Sequence, residues 1–269
     1  MSIPRNLTPT TPRFDPIKLA FILEKVVCRE INRQPARKYV RVRYSRFYRG
    51  CVTLDVVGCN LRCYFCWSPP SREYPEEYGK FKQPITVYRE AKRIAKKRGV
   101  RIVRFSGGEP TIGRKHLIQV LRLFDEDNYF DKIILETNGI LLGYDETYVK
   151  ELASITKLVI RVSIKSPNPQ RFSEITGALP EYYFLPFRAI KLALDNGMNV
   201  HVAAVTDPRI CTLEDRCTLI NKLSAIDSKL DIILSLEEEE IELYPITVKR
   251  LKIAGKNSLF TRVKRVGSI

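Results

Sequence analysis

The stretch "TLDVVGCNLRCYFCW", Thr53 to Trp67, joins an apolar, strand-like run to three closely spaced cysteines. These are Cys59, Cys63 and Cys66, and the whole chain of 269 residues has only seven cysteines. An odd number in a chain of this length does not suggest a disulfide framework, so we expect reduced thiols. The spacing therefore favours ligands of a metal centre over disulfide bonds.

Strands and helices alternate along the chain on both sides of this stretch. Short apolar runs predict six strands, at residues 53–57, 102–105, 133–135, 158–164, 200–205 and 231–236. The helix predicted from Pro84 carries an apolar face and ends at Gly99, a typical left-handed cap. Since such alternation builds parallel sheets, the pattern predicts an α/β fold, a partial (β/α)6 TIM-like barrel with N-terminal and C-terminal extensions. A doubly wound sheet is the alternative.

The composition of the chain predicts three regions. Residues 1–50 form a basic N-terminal extension, in which a helical pattern over 17–33 leads into a strand or edge ribbon. Residues 51–236 form the barrel core, and residues 237–269 form a C-terminal extension that is first acidic and then basic. We expect both extensions to flank the barrel rather than to belong to it.

Polar or glycine-rich clusters follow almost every predicted strand. After the cysteine stretch come "SGGEPT" (106–111), "ETNG" (136–139) and "SIKSPN" (163–168). In β/α barrels the C-terminal ends of the strands meet at one mouth, where the chemistry takes place. We therefore expect these clusters and the cysteines to form one site.

Three cysteines without a fourth nearby restrict the kind of metal centre. A structural zinc site usually has four ligands in two close pairs, and the candidates for a fourth are Cys51, His116 and His201. A four-iron cubane needs one outside ligand per iron, so three thiolates leave one iron open for a substrate or cofactor. Spacing alone leaves both centres open and favours the cubane.

The C-x3-C-x2-C spacing on the loop after the first core strand resembles the signature of the radical S-adenosylmethionine (SAM) superfamily. Phe65 fits that pattern, and "GGEP" matches the family's turn after the second strand. The resemblance covers residues 52–236. It implies an enzyme that uses a [4Fe–4S] cluster to cleave SAM reductively to a 5′-deoxyadenosyl radical, which abstracts hydrogen from a substrate. It also implies an electron donor such as ferredoxin or flavodoxin.

The resemblance further implies roles for individual residues. Cys59, Cys63 and Cys66 would hold the cluster and leave its open iron to the amino and carboxylate groups of SAM. The residues implied to contact SAM are Phe65, Gly107, Gly108, Glu109, Pro110, Thr137, Asn138, Ser163, Lys165 and His201. From the residues alone, "GGEP" is also a plain tight turn, Lys165 a solvated lysine and His201 a packed strand residue.

Within the superfamily, the run from "RIVRFSGGEPTI" to "ITGA" most resembles the pyruvate formate-lyase activating enzyme group. The chain departs from that group because residues 1–50 precede the barrel and because the D-x-K motif reads Ser163-Ile164-Lys165. Two substrates are therefore open. One is a nucleic acid, tRNA or rRNA, modified for example by methyl transfer. The other is a backbone glycine of a partner protein, as in a glycyl-radical-enzyme activase.

Charge is the main sequence evidence on the substrate. The chain has 46 Lys and Arg against 30 Asp and Glu, a net charge of +16, which attracts polyanions or an acidic protein partner. The alternative is the solvated basic surface of a heat-adapted protein. The predicted nucleic-acid contacts are Arg37, Arg41, Arg43 and Arg46, which lie among aromatic residues, and the basic C-terminal tail of Lys249, Arg250, Lys252, Lys256, Arg262, Lys264 and Arg265.

The remaining cysteines and the beginning of the chain give weaker signals. Cys28 and Cys51 are candidates for a second cluster and Cys211 and Cys217 for a reactive thiol, but inert packed cysteines are favoured. No apolar run is long enough to cross a bilayer, and the first residues carry Pro and Thr where a signal peptide has a hydrophobic segment. We therefore expect a soluble cytoplasmic protein without a membrane partner.

Overall fold

A computed structural model describes residues 3–227 and 231–261 of the chain. The strands in that part are β1 Cys28–Ile31, β2 Gln34–Ser45, β3 Cys51–Val56, β4 Lys80–Lys82, β5 Ile102–Gly107, β6 Lys132–Thr137, β7 Leu158–Ile164, β8 Asn199–Val205 and β9 Glu237–Glu239. The helices are α1 Pro16–Val27, α2 Pro84–Arg98, α3 Arg114–Asp125, α4 Ile140–Tyr144, α5 Glu146–Leu152, α6 Pro169–Thr176, α7 Leu185–Asp195, α8 Leu213–Ser224, α9 Asp231–Leu234, α10 Pro245–Ile253 and α11 Ser258–Thr261. Short 3-10 helices are formed by Phe47–Arg49, Pro70–Arg72 and Pro180–Phe184.

These strands form one mixed sheet in the order β1-β2-β3-β5-β6-β7-β8-β9, with β4 paired to β2. Neighbours from β3 to β9 are parallel, whereas β1, β2 and β4 pair antiparallel. The parallel strands follow one another in chain order, without the reversal that defines a doubly wound sheet. Because β1 and β9 are separate edges, the sheet is open, and the predicted α/β fold with a partial TIM-like barrel is confirmed.

Helices cover one face of the parallel strands. Val103 and Phe105 of β5 are fully buried, and the ring of Phe105 meets that of Phe124 in α3 at a centroid distance of 6.1 Å. Since successive strand residues point to opposite faces, Arg104 and Ser106 lie on the inner face of the partial barrel. Apolar residues thus face the helices, and polar residues face the inside.

Capping residues explain where several helices begin and end. The Asp15 carboxylate accepts hydrogen bonds from the backbone N–H groups of Ile17 and Lys18 at the start of α1, at 2.8 and 3.0 Å. Helix α2 begins at Pro84, as predicted, and stops at Gly99, whose φ of 65° lies in the left-handed region. These local signals do not depend on the rest of the fold, which is why the sequence shows them.

The sixth predicted strand is wrong. Residues 231–236 begin with the helical turn α9, in which the backbone N–H of Ser235 donates to the carbonyl of Asp231 at 3.1 Å. The strand follows as β9, formed by acidic residues at the start of the predicted C-terminal extension. A short apolar run does not distinguish a strand from a helical turn. The strand is acidic because its carboxylates pair with Arg161 of β7.

The helix predicted over 17–33 is too long. It ends at Val27, and the chain continues as β1 into a tight hairpin with β2. Asn32 and Arg33 form the turn with φ of 50° and 60°, the left-handed pair that a two-residue hairpin requires. The predicted edge ribbon is therefore longer than expected and includes β1.

The N-terminal extension contributes strands to the same sheet as the barrel core. Strand β2 pairs with β3 over most of its length, and Arg37 of β2 is only 1% exposed. The Arg37 guanidinium donates to the carbonyls of Glu109 and Pro110, at 2.7 and 3.2 Å. Its predicted contact with a nucleic acid is therefore wrong, because the guanidinium is buried and hydrogen-bonded within the protein. The boundaries 1–50, 51–236 and 237–269 remain a prediction.

The charges of two further arginines that were predicted to contact a nucleic acid are partly neutralised. Arg41 and Arg43 both donate to the buried carboxylate of Asp55 in β3, at 2.7 and 2.8 Å. Arg46 is exposed. Of these three arginines, Arg46 is thus the one that the structure leaves without a carboxylate partner among the described residues.

The C-terminal basic tail is described as far as Thr261. Arg250 in α10 is 3% exposed, so the predicted surface contact at this position is wrong. Lys256 pairs with Glu174, and Lys252 is exposed. Arg262, Lys264 and Arg265 lie outside the described residues. In the part of the chain that is described, no helix is both long and apolar enough to span a membrane.

Candidate functional site

The loop from Gly58 to Trp67 follows β3 at the C-terminal edge of the parallel strands. Within it Cys63 is buried, Cys59 and Cys66 are half-buried, and all three are free thiols. The backbone N–H of Cys66 donates to the carbonyl of Cys63 at 3.1 Å, which turns the loop back on itself. The charges of Cys63 and Cys66 raise the pKa of Cys59, and the charge of Cys66 raises the pKa of Cys63, so the three thiols lie close together.

The arrangement of these thiols fits a cubane better than a single metal ion. Within residues 3–227 and 231–261, no three His, Cys, Asp or Glu side chains are placed to hold one ion. Each cysteine of a cubane ligates a different iron, so its thiolates need not converge on one point. Both histidines are engaged elsewhere, His116 with Tyr39 at 2.9 Å and His201 with Glu237 at 3.1 Å.

Burial and charge act differently on the three thiols. Burial, together with the charge of Glu109, raises the pKa of Cys59 to about 12, and burial also raises the pKa of Cys63. Burial opposes ionisation of Cys66 as well, but the charges of Arg72 and Arg250 outweigh it, so the pKa of this thiol is lowered. Positive charge thus stands beside the loop where thiolate ligands are needed.

The "GGEP" turn after β5 rests directly on the cysteine loop. The backbone N–H of Glu109 donates to the carbonyl of Gly58 at 2.7 Å, and that of Gly108 donates to Val56 at 2.9 Å. A Cβ atom on Gly108 would lie 2.0 Å from the Gly58 oxygen, and Gly107 has a φ of 93°. Both glycines are therefore required, one for close approach and one for its left-handed backbone.

The carboxylate of Glu109 joins this turn to the "ETNG" loop after β6. It is 2% exposed and accepts hydrogen bonds from the hydroxyls of Thr111 and Thr137, both at 2.7 Å. It also accepts from the backbone N–H groups of Thr111 and Asn138, at 3.1 and 2.8 Å. Glu109 thus shapes the turn, and its contact with SAM remains a prediction.

The "ETNG" loop is also bonded to the cysteine loop. The Asn138 side chain donates to the Asn60 oxygen at 2.8 Å, and its nitrogen lies 4.0 Å from the sulfur of Cys59. A single network of hydrogen bonds therefore connects the loops after β3, β5 and β6. Thr137 and Asn138 lie in the site where they were expected, with their polar groups bonded to neighbouring loops.

The loop after β7 also lies near the cysteines. Lys165 donates to the hydroxyl of Ser163 at 2.5 Å, and its charge acts on the thiol of Cys63. Phe65 is half-buried and meets the ring of Tyr64 edge-on at 5.7 Å. With these residues, all the predicted SAM contacts except His201 lie at the C-terminal ends of β5, β6 and β7 or in the loops that follow β3, β5, β6 and β7.

His201 is the exception, because it does not lie among these loops, and its contact with SAM remains a prediction. It is the third residue of β8, and its side chain lines a cavity of about 380 Å³ with Ile102 and Lys132. Those two residues begin β5 and β6, so the cavity lies at the N-terminal ends of the strands. His201 therefore lies nearer the N-terminal than the C-terminal end of β8, level with Arg161 of β7.

The inner face of the sheet carries a layer of charged residues between these two ends. Arg104 donates to both oxygens of Glu136, at 2.8 and 2.7 Å, and Tyr48 donates to the same carboxylate at 2.9 Å. Arg161 pairs with Glu237 and Glu239, at 2.8 and 2.7 Å. The charges of the arginines lower the pKa of Glu136 although burial opposes this, so it is ionised.

Sequence reasoning missed this charged layer. The sequence signal for it was one charged residue in each of three mostly apolar strands: Arg104, Glu136 and Arg161. Fully closed barrels fill the same space with layers of apolar side chains. An isolated charge in an apolar strand therefore marks a residue that faces the inside of an open barrel.

Comparison with known proteins gives a family and a set of relatives. A family model described as the radical SAM superfamily matches residues 54–223. A probable GTP 3′,8-cyclase of Methanococcus vannielii is 29% identical over 220 residues, covering 80% of this chain and 69% of that protein. A GTP 3′,8-cyclase of Clostridium perfringens is 29% identical over 151 residues, covering 55% of this chain and 43% of that protein.

Solved structures agree on the fold. Streptococcus suis SuiB bound to the precursor peptide SuiA matches with a TM-score of 0.51 and 21% identity, over 63% of this chain and 35% of that one. TYW1 with a lysine–pyruvate adduct matches with a TM-score of 0.50 and 16% identity, over 78% of this chain and 77% of that one. The comparisons do not confirm the resemblance to the pyruvate formate-lyase activating enzyme group.

Proposed function

The chain belongs to the radical SAM superfamily, and on that premise we propose that Cys59, Cys63 and Cys66 hold the [4Fe–4S] cluster of this enzyme. The cluster and SAM are its cofactors. Bound together, they supply a 5′-deoxyadenosyl radical that abstracts hydrogen from a substrate. Three neighbouring free thiols without a fourth support this assignment, because a cubane held by them would leave one iron open to SAM.

In the part of the site that would bind SAM, each loop provides groups that suit a particular role. Gly107 and Gly108 let the backbone approach the cysteine loop closely, so that the turn would present its polar groups to SAM bound at the cluster. Lys165 provides a cation for the carboxylate of SAM, as a charge-assisted hydrogen bond. Glu109 holds the "GGEP" turn and the "ETNG" loop together through its hydrogen bonds to Thr137 and Asn138. The electron comes from a protein donor such as ferredoxin or flavodoxin.

We further propose that the substrate is a nucleotide bound against the inner face of the partial barrel. The charged layer of Arg104, Glu136 and Arg161 carries this proposal, since burying a polar atom is costly unless it is hydrogen-bonded. One guanidinium nitrogen of Arg104, Nη1, is buried and has no partner among the described residues. A polar, charged substrate provides the partners that an apolar one lacks.

The cavity at the N-terminal ends of the strands adds the charge that a phosphate needs. Its lining includes the basic residues Arg49 and Lys132, beside Arg161 and His201, which both pair with Glu237. Its volume of about 380 Å³ lies in the range of small-molecule sites. Arg49 and Lys132 form no ion pair within the described part of the chain. Their ammonium and guanidinium groups are suited to phosphate oxygens.

The relatives support the same substrate class. They are named as GTP 3′,8-cyclases, so the substrate in their name is a nucleotide. The extent of the match with the Methanococcus protein includes most of the barrel and supports transfer of the substrate class rather than of the exact reaction.

Nucleotide turnover is tested directly with the anaerobically reconstituted enzyme. SAM, dithionite and either GTP, ATP, CTP or UTP are added, and 5′-deoxyadenosine and the nucleotide mass are measured together. We expect at least one nucleotide to raise 5′-deoxyadenosine formation about tenfold. The double variant Arg49→Gln/Lys132→Gln should bind that nucleotide at least tenfold more weakly, with unchanged iron content and SAM affinity.

The matched control is Arg89→Gln/Lys97→Gln, which removes the same charge from exposed positions of α2. An equal loss of nucleotide affinity in both double variants would show a general charge effect and remove the cavity from the proposal. If no nucleotide stimulates the reaction but bulk tRNA does, the substrate is RNA. If neither does, a protein substrate, as for an activase, takes its place.

RNA is the second candidate because of the net charge of +16 and one exposed surface feature. Phe47 is 59% exposed, packs on the Arg104 guanidinium at 4.2 Å and follows the exposed Arg46. An exposed aromatic ring beside a cation suits stacking on a base. This candidate no longer depends on Arg37, Arg41 and Arg43, which the protein itself uses.

Glu109→Gln should weaken SAM binding at least tenfold and leave the iron content unchanged. The amide keeps the size of the side chain, but its NH2 group cannot accept the hydrogen bonds that the carboxylate accepts from Thr111, Thr137 and Asn138. SAM binding is measured by calorimetry on the reconstituted protein. Glu77→Gln, at an exposed position, is the control. Normal SAM affinity and turnover in Glu109→Gln would remove Glu109 from the site.

A further inference from the structure

Three buried arginines hold the backbone of the cysteine loop. Arg62 donates to the carbonyl of Cys59 at 2.5 Å, and Arg72 donates to that of Cys63 at 2.8 Å. Arg250 donates to the carbonyl of Cys66 at 2.6 Å. Each cysteine of the motif therefore has its own arginine, and we call Arg62, Arg72 and Arg250 the arginine triad.

The triad carries more charge than its surroundings neutralise. All three side chains are at most 3% exposed, and Glu73, 3% exposed, is the carboxylate that pairs with Arg72 and Arg250. Arg250 binds both oxygens of Glu73 at 2.7 Å, and Arg72 donates to one of them at 3.1 Å. Three guanidinium groups against one carboxylate leave two positive charges in excess.

The other charges near the loop do not cancel this excess. Glu109 is negative, but Arg37 binds its carbonyl and supplies a positive charge of its own. Lys165 adds a further positive charge near Cys63. One guanidinium nitrogen of Arg62, Nη2, is buried without a partner among the described residues. Buried charge of one sign is costly unless a group of the opposite sign is bound.

The group of opposite sign is the thiolate-ligated cluster. Three thiolates bring negative charge to the loop, and reduction of the cluster adds one more electron to it. The reduction potential of iron–sulfur clusters depends on net charge, hydrogen bonds and exposure. Nearby positive charge stabilises the reduced state more than the oxidised state, and low solvent exposure strengthens that effect.

We propose that the arginine triad both positions the three cysteines and raises the reduction potential of the cluster, and that the negative charge of Glu73 limits the size of this increase. The proposal rests on the assignment of the cluster to Cys59, Cys63 and Cys66. It makes α10 a part of the cluster site, because Arg250 lies 184 residues beyond Cys66 in the chain. Arg250 is a positioning residue, since it acts on the cluster through the loop and through its charge.

Removing one charge at a time gives shifts of opposite sign. In Arg250→Gln the excess falls, so the midpoint potential should become more negative, and at the wild-type midpoint the ratio of reduced to oxidised cluster should fall at least tenfold. Tenfold corresponds to about 59 mV for a one-electron couple. In Glu73→Gln the excess rises and the potential should become more positive. The double variant restores the excess and should titrate near the wild type.

The measurement is an anaerobic redox titration followed by electron paramagnetic resonance, without SAM or substrate. Arg89→Gln, at an exposed position of α2, is the control and should titrate as the wild type does. Iron content and circular dichroism of each variant are recorded first. If Arg250→Gln does not fold, Glu73→Gln alone still tests the sign of the shift.

Two outcomes separate this proposal from the cluster assignment. If the wild type binds no iron on reconstitution, the cluster assignment is wrong, and the proposal for the triad is wrong with it. If the wild type holds its cluster but Glu73→Gln shifts the potential in the negative direction, or not at all, the triad does not set the potential. A shift of opposite sign in the two single variants supports it, since damage to the loop would move both in the same way.

Discussion

Replacing Cys59, Cys63 and Cys66 together with alanine should remove all bound iron from the reconstituted enzyme. Each thiolate ligates one iron of the cubane, so the triple variant keeps no ligand on the loop. Outside the loop, the described residues form no group of three His, Cys, Asp or Glu side chains that could hold a metal ion. We expect the visible absorbance of the cluster and the SAM-cleavage activity to be lost with the iron.

The control for this variant removes the same number of thiols elsewhere. Cys28, Cys211 and Cys217 are free and lie outside the loop, and Cys28→Ala/Cys211→Ala/Cys217→Ala should keep the full iron content. Iron and sulfide are measured after anaerobic reconstitution. About four irons per chain in the loop variant, or a loss of iron in the control as large as in the loop variant, contradicts the assignment.

The fold was predictable where local patterns and topology agree. Strands at 102–105, 133–135, 158–164 and 200–205 were found as apolar runs, because both apolar patterning and helix caps such as Gly99 are local. Strand β9 was missed because its residues are acidic. Its place in the sheet depends on Arg161, 76 residues earlier in the chain, and no local pattern reveals that partner.

The candidate site was predictable to the extent that it consists of short motifs. The cysteine loop, the "GGEP" turn and the "ETNG" loop each have a recognisable sequence, and the sheet brings them to one edge. Arg37 and Arg250 were mistaken for surface cations, since a sequence shows the charge of an arginine but not its burial. Both instead donate to carbonyl oxygens of the site.

Gly108→Ala should have the second largest effect, a loss of SAM affinity of more than a hundredfold. The added Cβ would lie 2.0 Å from the carbonyl oxygen of Gly58 and 2.9 Å from its carbon, so backbone, not a mobile side chain, stands in the way. The "GGEP" turn must then move away from the cysteine loop. That movement breaks the hydrogen bond from Glu109 to Gly58 and shifts the polar groups of the turn away from the cluster.

The same substitution should also lower the free energy of unfolding by about 1–3 kcal/mol, as overpacking in a core does. Gly197→Ala is the matched control, because a methyl group there would meet no packed neighbour within 4 Å although the φ of 68° is left-handed. It should cost about 1–2 kcal/mol of stability, because an L-residue is strained at a left-handed φ, and leave SAM affinity unchanged. Denaturation of the apoprotein and calorimetric SAM binding separate the two effects. If Gly108→Ala binds SAM as Gly197→Ala does, close contact between turn and cysteine loop is not what the cofactor site requires.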